Sequence, residues 1–375
     1  MSTDITTALL VDSGRSRPYE SSAPIEVTQA HLADPGPGEL LVRVRAAGLC
    51  HSDLSVINGS RPRPVPMALG HEAAGEVVAV GEHTTINPGD HVVLAFVPAC
   101  GECGPCVGGR PALCRPGGQA NRDGTLLGGG MRISLADGRR PYHHLGVSAF
   151  ADHIVVSERS AVRIDPTIPF DVAALFGCAV LTGAGATLYS AQVRPGDTVA
   201  VVGLGGVGLS ALLAARAAGA ATIVAVDLVE HKRQRALELG ATHAVPGGEE
   251  ARAGVREITG GGADQVIETT GVPAALEDAY AATRPGGTTV TVGLPNAEAQ
   301  ISLPALSLVA EERTLRGSYL GSCVPRRDIP RFADMYRAGT LPVEALLSDR
   351  IGLQDINAAF DRLAEGSALR QVVLF

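Results

Sequence analysis

Residues 198–218 read TVAVVGLGGVGLSALLAARAA. Thr198 to Val202 are β-branched or small and follow the turn signal Pro195-Gly196-Asp197, so they predict a strand. The small-residue run from about Gly205 to Ala218 predicts a helix that stops near Gly219. Between them lies a G-x-G-x-x-G turn, Gly203-Leu204-Gly205-Gly206-Val207-Gly208. Glycines there permit a tight turn, close approach of backbone to a pyrophosphate, and packing of helix on sheet. The N-terminus of the following helix favours anionic phosphates. The uncharged stretch Thr198 to Ala215 is also long enough to suggest a membrane span. Its entry turn and repeated glycines argue against one.

Outward from this turn the same alternation continues. Strand patterns at Thr222–Val226, Gln265–Ile267 and Thr288–Val292 alternate with helical patterns at Glu230–Leu239 and Ala274–Thr283, with Pro285-Gly286-Gly287 as a turn. Strands alternating with helices predict a parallel sheet covered on both faces, an α/β doubly wound domain. Asp227 ends the second strand, 19 residues after Gly208. A carboxylate there accepts from an adenosine ribose hydroxyl and repels a 2′-phosphate, which points to NAD rather than NADP.

The half before this is β-rich, with strand patterns at Leu40–Ala46, Ala73–Val80, His91–Val97 and Phe150–Val156. Residues 115–145 are rich in Gly and Arg and weakly periodic, which predicts a long surface excursion. After residue 320 come two helical patterns and a last strand, Val372 to Phe375.

Length and composition bound the function. A chain of 375 residues suits two or three domains. It is 45% hydrophobic and 19% charged, which excludes a disordered chain. The net charge of -8 argues against a nucleic-acid partner. The N-terminal MSTDITTALLVDSG lacks the basic start and long apolar run of a signal peptide. Cytoplasmic placement is the expectation, and the cysteines agree with a reducing compartment.

Those cysteines fall in two groups. Cys100, Cys103, Cys106 and Cys114 supply four thiolates within fifteen residues. Four soft ligands with no open position describe a structural zinc site. The spacing departs from the bacterial iron–sulfur pattern, and Arg115 stands where that pattern has Pro. Cys50, His71 and Cys178 are spread over 129 positions, and spacing alone cannot join them. Taken singly, a buried Cys is a small hydrophobe.

The stretches GLCHSD, GHEAAGEVVAVG, FGCAVLTG, GLGGVG, VAVD, TVGLP and the terminal LRQVVLF, with the four-Cys lobe, together resemble the zinc-dependent medium-chain alcohol dehydrogenase family over nearly the whole chain. The resemblance implies a GroES-like β-rich catalytic domain at 1–179, completed by 320–375. A Rossmann domain at 180–319 is inserted between them. It implies a second, catalytic zinc on Cys50, His71 and Cys178, hence two zinc ions per chain. Glu72 is the family's acid beside that zinc, and Asp53 the carboxylate that orients His71. Zinc lowers the pKa of a bound alcohol, Ser52 takes the proton, and hydride passes to NAD.

Further roles follow from the resemblance alone. His51 stands where many relatives carry a basic pyrophosphate contact. It is also a candidate end of the proton relay, because Ser55 replaces the usual histidine. Lys232, Leu294 and Arg370 match cofactor contacts. Phe96, Leu294 and His144 fall at or near the substrate pocket. The long excursion resembles the long-chain form, whose members are dimers, so a homodimer acting on a small alcohol or aldehyde is expected. A thiol-adduct formaldehyde dehydrogenase shares these motifs, although Gly117-Gly118 stand where its glutathione-gripping Arg is expected. A third class is a non-catalytic zinc and nucleotide protein, which would be expected to lose Cys50, His71 or Ser52.

Overall fold

A computed structural model describes residues 2–375. The chain divides into two compact units. One holds residues up to Cys178 with 324–334 and 347–375, and the other holds 179–323 with 335–346. Assigning 335–346 to the second unit departs from the boundary drawn from sequence.

The first unit carries two sheets. Glu39–Gly48 is the central strand of the larger one. Its Val42 and Val44 are buried while Arg43 and Arg45 face out, the period-2 pattern of a half-buried strand. It pairs antiparallel with Glu72–Val80, His153–Ser157 and the C-terminal strand Gln371–Leu374. The core between the elements is aliphatic, with Phe150 and Phe360 as its large rings. Each fully buried aliphatic side chain there contributes about 1.5–3 kcal/mol. A smaller five-stranded sheet opens with the antiparallel pair Ser2–Leu10 and Ile25–Ala33, which sequence patterning missed.

The second unit is one parallel sheet of six strands. In space they run His243–Pro246, Thr222–Asp227, Thr198–Val202, Ala263–Glu268, Thr283–Thr291 and Thr314–Gly317. Numbered along the chain the order is 3-2-1-4-5-6, the Rossmann arrangement. Thr198–Val202 lies at the point where the order reverses.

Three expectations need correction. The excursion 115–145 is not all surface: Arg115–Asp123 is a helix, and Ile133–Ser134 and Tyr142–His143 join the five-stranded sheet. Leu126, Ile133, His143 and His144 are buried. Its polar composition hid these few inward-facing residues. The strand expected at Thr288–Val292 begins at Thr283 and runs through the glycine turn, with a register shift against its neighbour. The strand expected at Phe150–Val156 is His153–Ser157. No single helix among the described residues is long and apolar enough to cross a membrane. The suspected span is a strand followed by the helix Gly206–Ala217.

Candidate active site and metal centres

Strand register builds the first centre. Gly48 pairs with Glu72, which sets the segments leaving those two strand ends side by side. Cys50 leaves one strand and stands just before the helix His51–Ile57, while His71 precedes the other strand. A side chain at Gly48 would run into the Glu72 carboxylate, which would have to move to admit it. Cys178 arrives from the turn Leu175–Gly177, where a side chain on Gly177 would strike the Leu94 carbonyl. The donor atoms of Cys50, His71 and Cys178 all lie within 4.8 Å of one another, and all three residues are buried.

His71 shows what the cluster lacks. Its Nδ1 lies 3.1 Å from Asp53, while its buried Nε2 has no hydrogen-bond partner among the described residues. Asp53 accepts, so Nδ1 carries the proton and Nε2 presents a lone pair. A lone pair and two thiols facing one point, with no hydrogen-bond donor supplied, fit a soft divalent cation. The electrostatics agree. A hydrogen bond from Cys178 and the neighbouring His71 lower the Cys50 thiol well below its usual range despite burial. Cys178, bonded to Cys50 and buried, is pushed well up. Burial opposes charge on both Asp53 and His71. Yet His71 and His144 hold Asp53 below the ordinary carboxylate range, and Asp53 with Cys50 raises His71 well above the usual histidine value. This is a demand for positive charge at Nε2 that a bound cation would meet in place of a proton.

Around this cluster the expected residues take definite places. Burial raises Glu72 to about 7, with Arg370 opposing it. Arg370, expected as a cofactor contact, is itself only 4% exposed. Its guanidinium donates to the Leu49 carbonyl at 2.6 Å and sits 3.5 Å from Glu72. Phe96 is buried, edge-on to the His71 ring at 5.4 Å. His144, expected near the substrate pocket, stands at Asp53, with Nδ1 3.0 Å from Oδ1. Ser52 lies half-buried in the first turn after Cys50, and His51 is exposed. Ser55 donates to the His51 carbonyl at 2.8 Å, so its hydroxyl is spent inside its own helix.

The second centre is local. Cys100, Cys103, Cys106 and Cys114 converge, with Cys103 Sγ 3.5 Å from Cys106 Sγ and 3.9 Å from Cys114 Sγ. Backbone N–H groups of Cys100 and Gly117 point at Cys114 Sγ, and those of Glu102 and Cys103 at Cys100 Sγ. Such donors stabilise thiolates. Backbone N–H groups of Cys106 and Arg115 bring the Cys103 thiol itself down to about 6. Burial and its thiol neighbours push Cys106 up to about 12.

In the second unit, Gly205 precedes the helix Gly206–Ala217. Gly203 has φ 90°, and a side chain on Gly208 would strike the Gly203 carbonyl, so the turn closes only on glycine. Asp227 accepts from Leu204 N at 2.7 Å and from Val229 N at 2.9 Å, tying the end of one strand to the glycine turn of another. Arg233 donates to the Asp227 carbonyl at 2.7 Å, while Lys232 is half-buried beside it in sequence. Leu294 is half exposed. Glu268 was not singled out from sequence. It is fully buried and accepts from Thr270 Oγ1, Gly271 N and Thr291 Oγ1. A carboxylate closing a strand before Thr-Thr-Gly was the available signal.

A Rossmann unit in one chain with a β-rich unit that gathers buried Cys, His and Cys defines a metal-dependent, nucleotide-using oxidoreductase. The alcohol dehydrogenase GroES-like domain matches residues 36–166, and the zinc-binding dehydrogenase domain matches 206–338. An NDMA-dependent alcohol dehydrogenase of Amycolatopsis methanolica is 38% identical over 369 residues, 95% of this chain and 97% of its own. A geraniol dehydrogenase of Castellaniella defragrans is 39% identical over 356 residues, 94% of this chain and 95% of its own. The benzyl alcohol dehydrogenase structure from Acinetobacter calcoaceticus superposes with a TM-score of 0.92 at 31% identity, covering 100% of this chain and 99% of that one. The chain belongs to the zinc-dependent medium-chain alcohol dehydrogenase family.

Proposed function

We propose that this protein is an NAD-dependent zinc alcohol dehydrogenase acting reversibly on a primary or secondary alcohol. The observation that carries the reading is the buried, unpartnered His71 Nε2 within 4.8 Å of two thiols. Zinc held by Cys50, His71 and Cys178 would make an alcohol hydroxyl more acidic. The chain's own residues do the rest. Asp53 fixes the ring of His71 by its Nδ1 proton. Ser52, two residues from Cys50, takes the hydroxyl proton. Phe96 walls the His71 face with an apolar ring and excludes water. Asp227 binds the adenosine ribose in the glycine-turn half and disfavours a 2′-phosphate. Of the expected cofactor residues, Arg370 acts through Glu72, holding a buried carboxylate beside the ligands.

Relatives named for geraniol and benzyl alcohol favour an apolar primary alcohol, which a phenylalanine-lined approach suits. The four-Cys lobe takes a second, structural zinc. A second copy of the chain completes a homodimer. Thr314–Gly317 is an open edge of the six-stranded sheet, and the adjoining helix Ala305–Ala310 exposes Leu306, Leu308 and Val309. An open edge beside an apolar helix is self-complementary across a twofold axis.

The deciding experiment assays a panel of alcohols and aldehydes with NAD and with NADP, with zinc measured on the same sample. Reduction of NAD by alcohols without added thiol is expected. Turnover of formaldehyde only with a low-molecular-weight thiol would replace this reading by the thiol-adduct one. Zinc and nucleotide binding with no turnover of any substrate would leave a binding protein.

A further inference from the structure

We propose that His144 is a positioning residue for the metal ligand His71, acting through Asp53. The inference rests on the reading of Cys50, His71 and Cys178 as a zinc site. Asp53 is fully buried and is the hub. Its carboxylate receives Gly70 N at 3.1 Å, His71 Nδ1 at 3.1 Å and His144 Nδ1 at 3.0 Å. The His144 approach is short but off the hydrogen-bond line, and this buried Nδ1 has no other partner among the described residues. A carboxylate held only by Gly70 and His71 could rotate with the imidazole it orients. A third contact from a separate segment fixes it, so the His71 lone pair keeps one direction.

The segment that supplies His144 is itself built to aim. Leu145, Gly146 and Ser148 all have left-handed backbone, with φ of 54°, 69° and 58°. Two of these are non-glycine, a conformation that persists only where surroundings enforce it. Ser148 does the enforcing: its hydroxyl accepts the His144 N–H at 3.0 Å and meets His143 Nδ1 at 3.2 Å. His143 Nε2 in turn accepts Arg132 N–H at 3.3 Å, so Nδ1 carries the proton of the neutral ring and donates to Ser148. The His144 ring then stands edge-on to His71 at 5.5 Å, opposite in role to Phe96. A strained, largely buried turn that ends on one imidazole nitrogen at a ligand's carboxylate is a positioning device. Partners bonded directly to a ligand, as Asp53 is to His71, change metal affinity by about 10–100-fold, and His144 acts through that partner.

The test follows zinc leaving the loaded protein into excess 4-(2-pyridylazo)resorcinol. Two release phases are expected, and the one missing from Cys178→Ala belongs to the His71 site. His144→Leu should speed that phase about 10-fold or more and leave the four-Cys phase unchanged. His144→Asn, which places an amide N–H near the position of Nδ1, should restore slow release. In an Asp53→Asn background His144→Leu should add nothing, because the effect passes through Asp53. Should His144→Leu not fold, Ser148→Ala replaces it, with faster release from the same phase expected. Equal release from wild type and variant, or both phases accelerated together, overturns the proposal. So does a third zinc per chain lost with His144, which would make it a ligand. A wild-type chain with no zinc at the His71 site overturns the zinc reading itself, and this inference with it.

Discussion

The four-Cys lobe and the Cys50–His71–Cys178 cluster are both thiol-rich, yet they are built by opposite means. The lobe's donors lie within fifteen residues, are partly exposed apart from Cys114, and take N–H···S bonds largely from the lobe's own backbone. The cluster's donors come from three remote segments, are all buried, and depend on Asp53, Glu72 and Arg370 around them. A local site needs only a short chain that can wrap a cation. A dispersed site needs a whole sheet to set its register and a buried shell to balance its charge. The lobe is therefore suited to holding structure, and the cluster to chemistry.

The largest effect should come from breaking the dispersed site. Cys178→Ala is expected to lower kcat by about a thousandfold or more, since a Lewis-acid metal contributes several kcal/mol to the transition state. NADH binding, followed by fluorescence titration, should stay within a few-fold, and one zinc per chain should remain. Retention of turnover would place the chemistry elsewhere.

The second prediction concerns the shell. Burial, with Arg132 adding repulsion, lowers His143 to about 4. The unfolded chain binds this proton near the ordinary histidine value of about 6.5. Between those values the unfolded state holds more protons, so stability rises with pH. The contribution is complete above about pH 6.5 and is lost as pH falls toward 4, at most roughly 3 kcal/mol. Urea midpoints at pH 7 and 4.5 should differ less for His143→Gln than for wild type. An unchanged difference would show that acid sensitivity arises elsewhere.

How much of this was readable in sequence follows the same division. Gly203 to Gly208, with a strand before and a helix after, sits within one 21-residue stretch, and the structure matches it almost residue for residue. The lobe was equally plain. Joining Cys50, His71 and Cys178 required the family resemblance, because the Gly48–Glu72 register that unites two of them is not written in any spacing. The contact of His144 with Asp53 was hidden for a related reason. The residue's surroundings in sequence are polar and irregular, and only a left-handed turn carries it inward to Asp53. Arg370 matched a cofactor contact through the resemblance alone, and its burial against Glu72 is a tertiary fact that no spacing records.

A third prediction uses the other local motif. Asp227→Gly should shift the NAD-over-NADP preference in kcat/KM by roughly 10–100-fold, the range of one charged hydrogen bond. The Asp227 carboxylate also accepts from Leu204 and Val229 N–H, so the glycine turn should loosen too and KM for NAD should rise. Asp227→Asn keeps one of the two acceptor oxygens while the charge is lost, so the turn should loosen less than in Asp227→Gly, and the cofactor preference and the KM for NAD should then shift to different extents. A wild type that already prefers NADP would sink the assignment.

The smallest effect is expected where the comparison is most exposed to failure. Cys106→Ser removes one lobe donor, and the zinc count should fall from two to one. At 25 °C kcat should change by no more than about twofold, because the lobe's stabilising bonds mostly stay inside it. One route does lead outward. Gly117, whose N–H serves Cys114, packs so closely under the Pro98 carbonyl that a side chain could not fit, and Pro98 is two residues from Phe96. A slackened lobe would therefore move the wall of the His71 pocket before it moved any ligand. That predicts a rise in KM for alcohol larger than the fall in kcat, with faster loss of activity on heating as the lobe opens. Steady-state kinetics with zinc analysis on one preparation checks it. A kcat loss approaching that of Cys178→Ala would mean the two centres are one mechanical unit, and the division between local and dispersed sites would not hold.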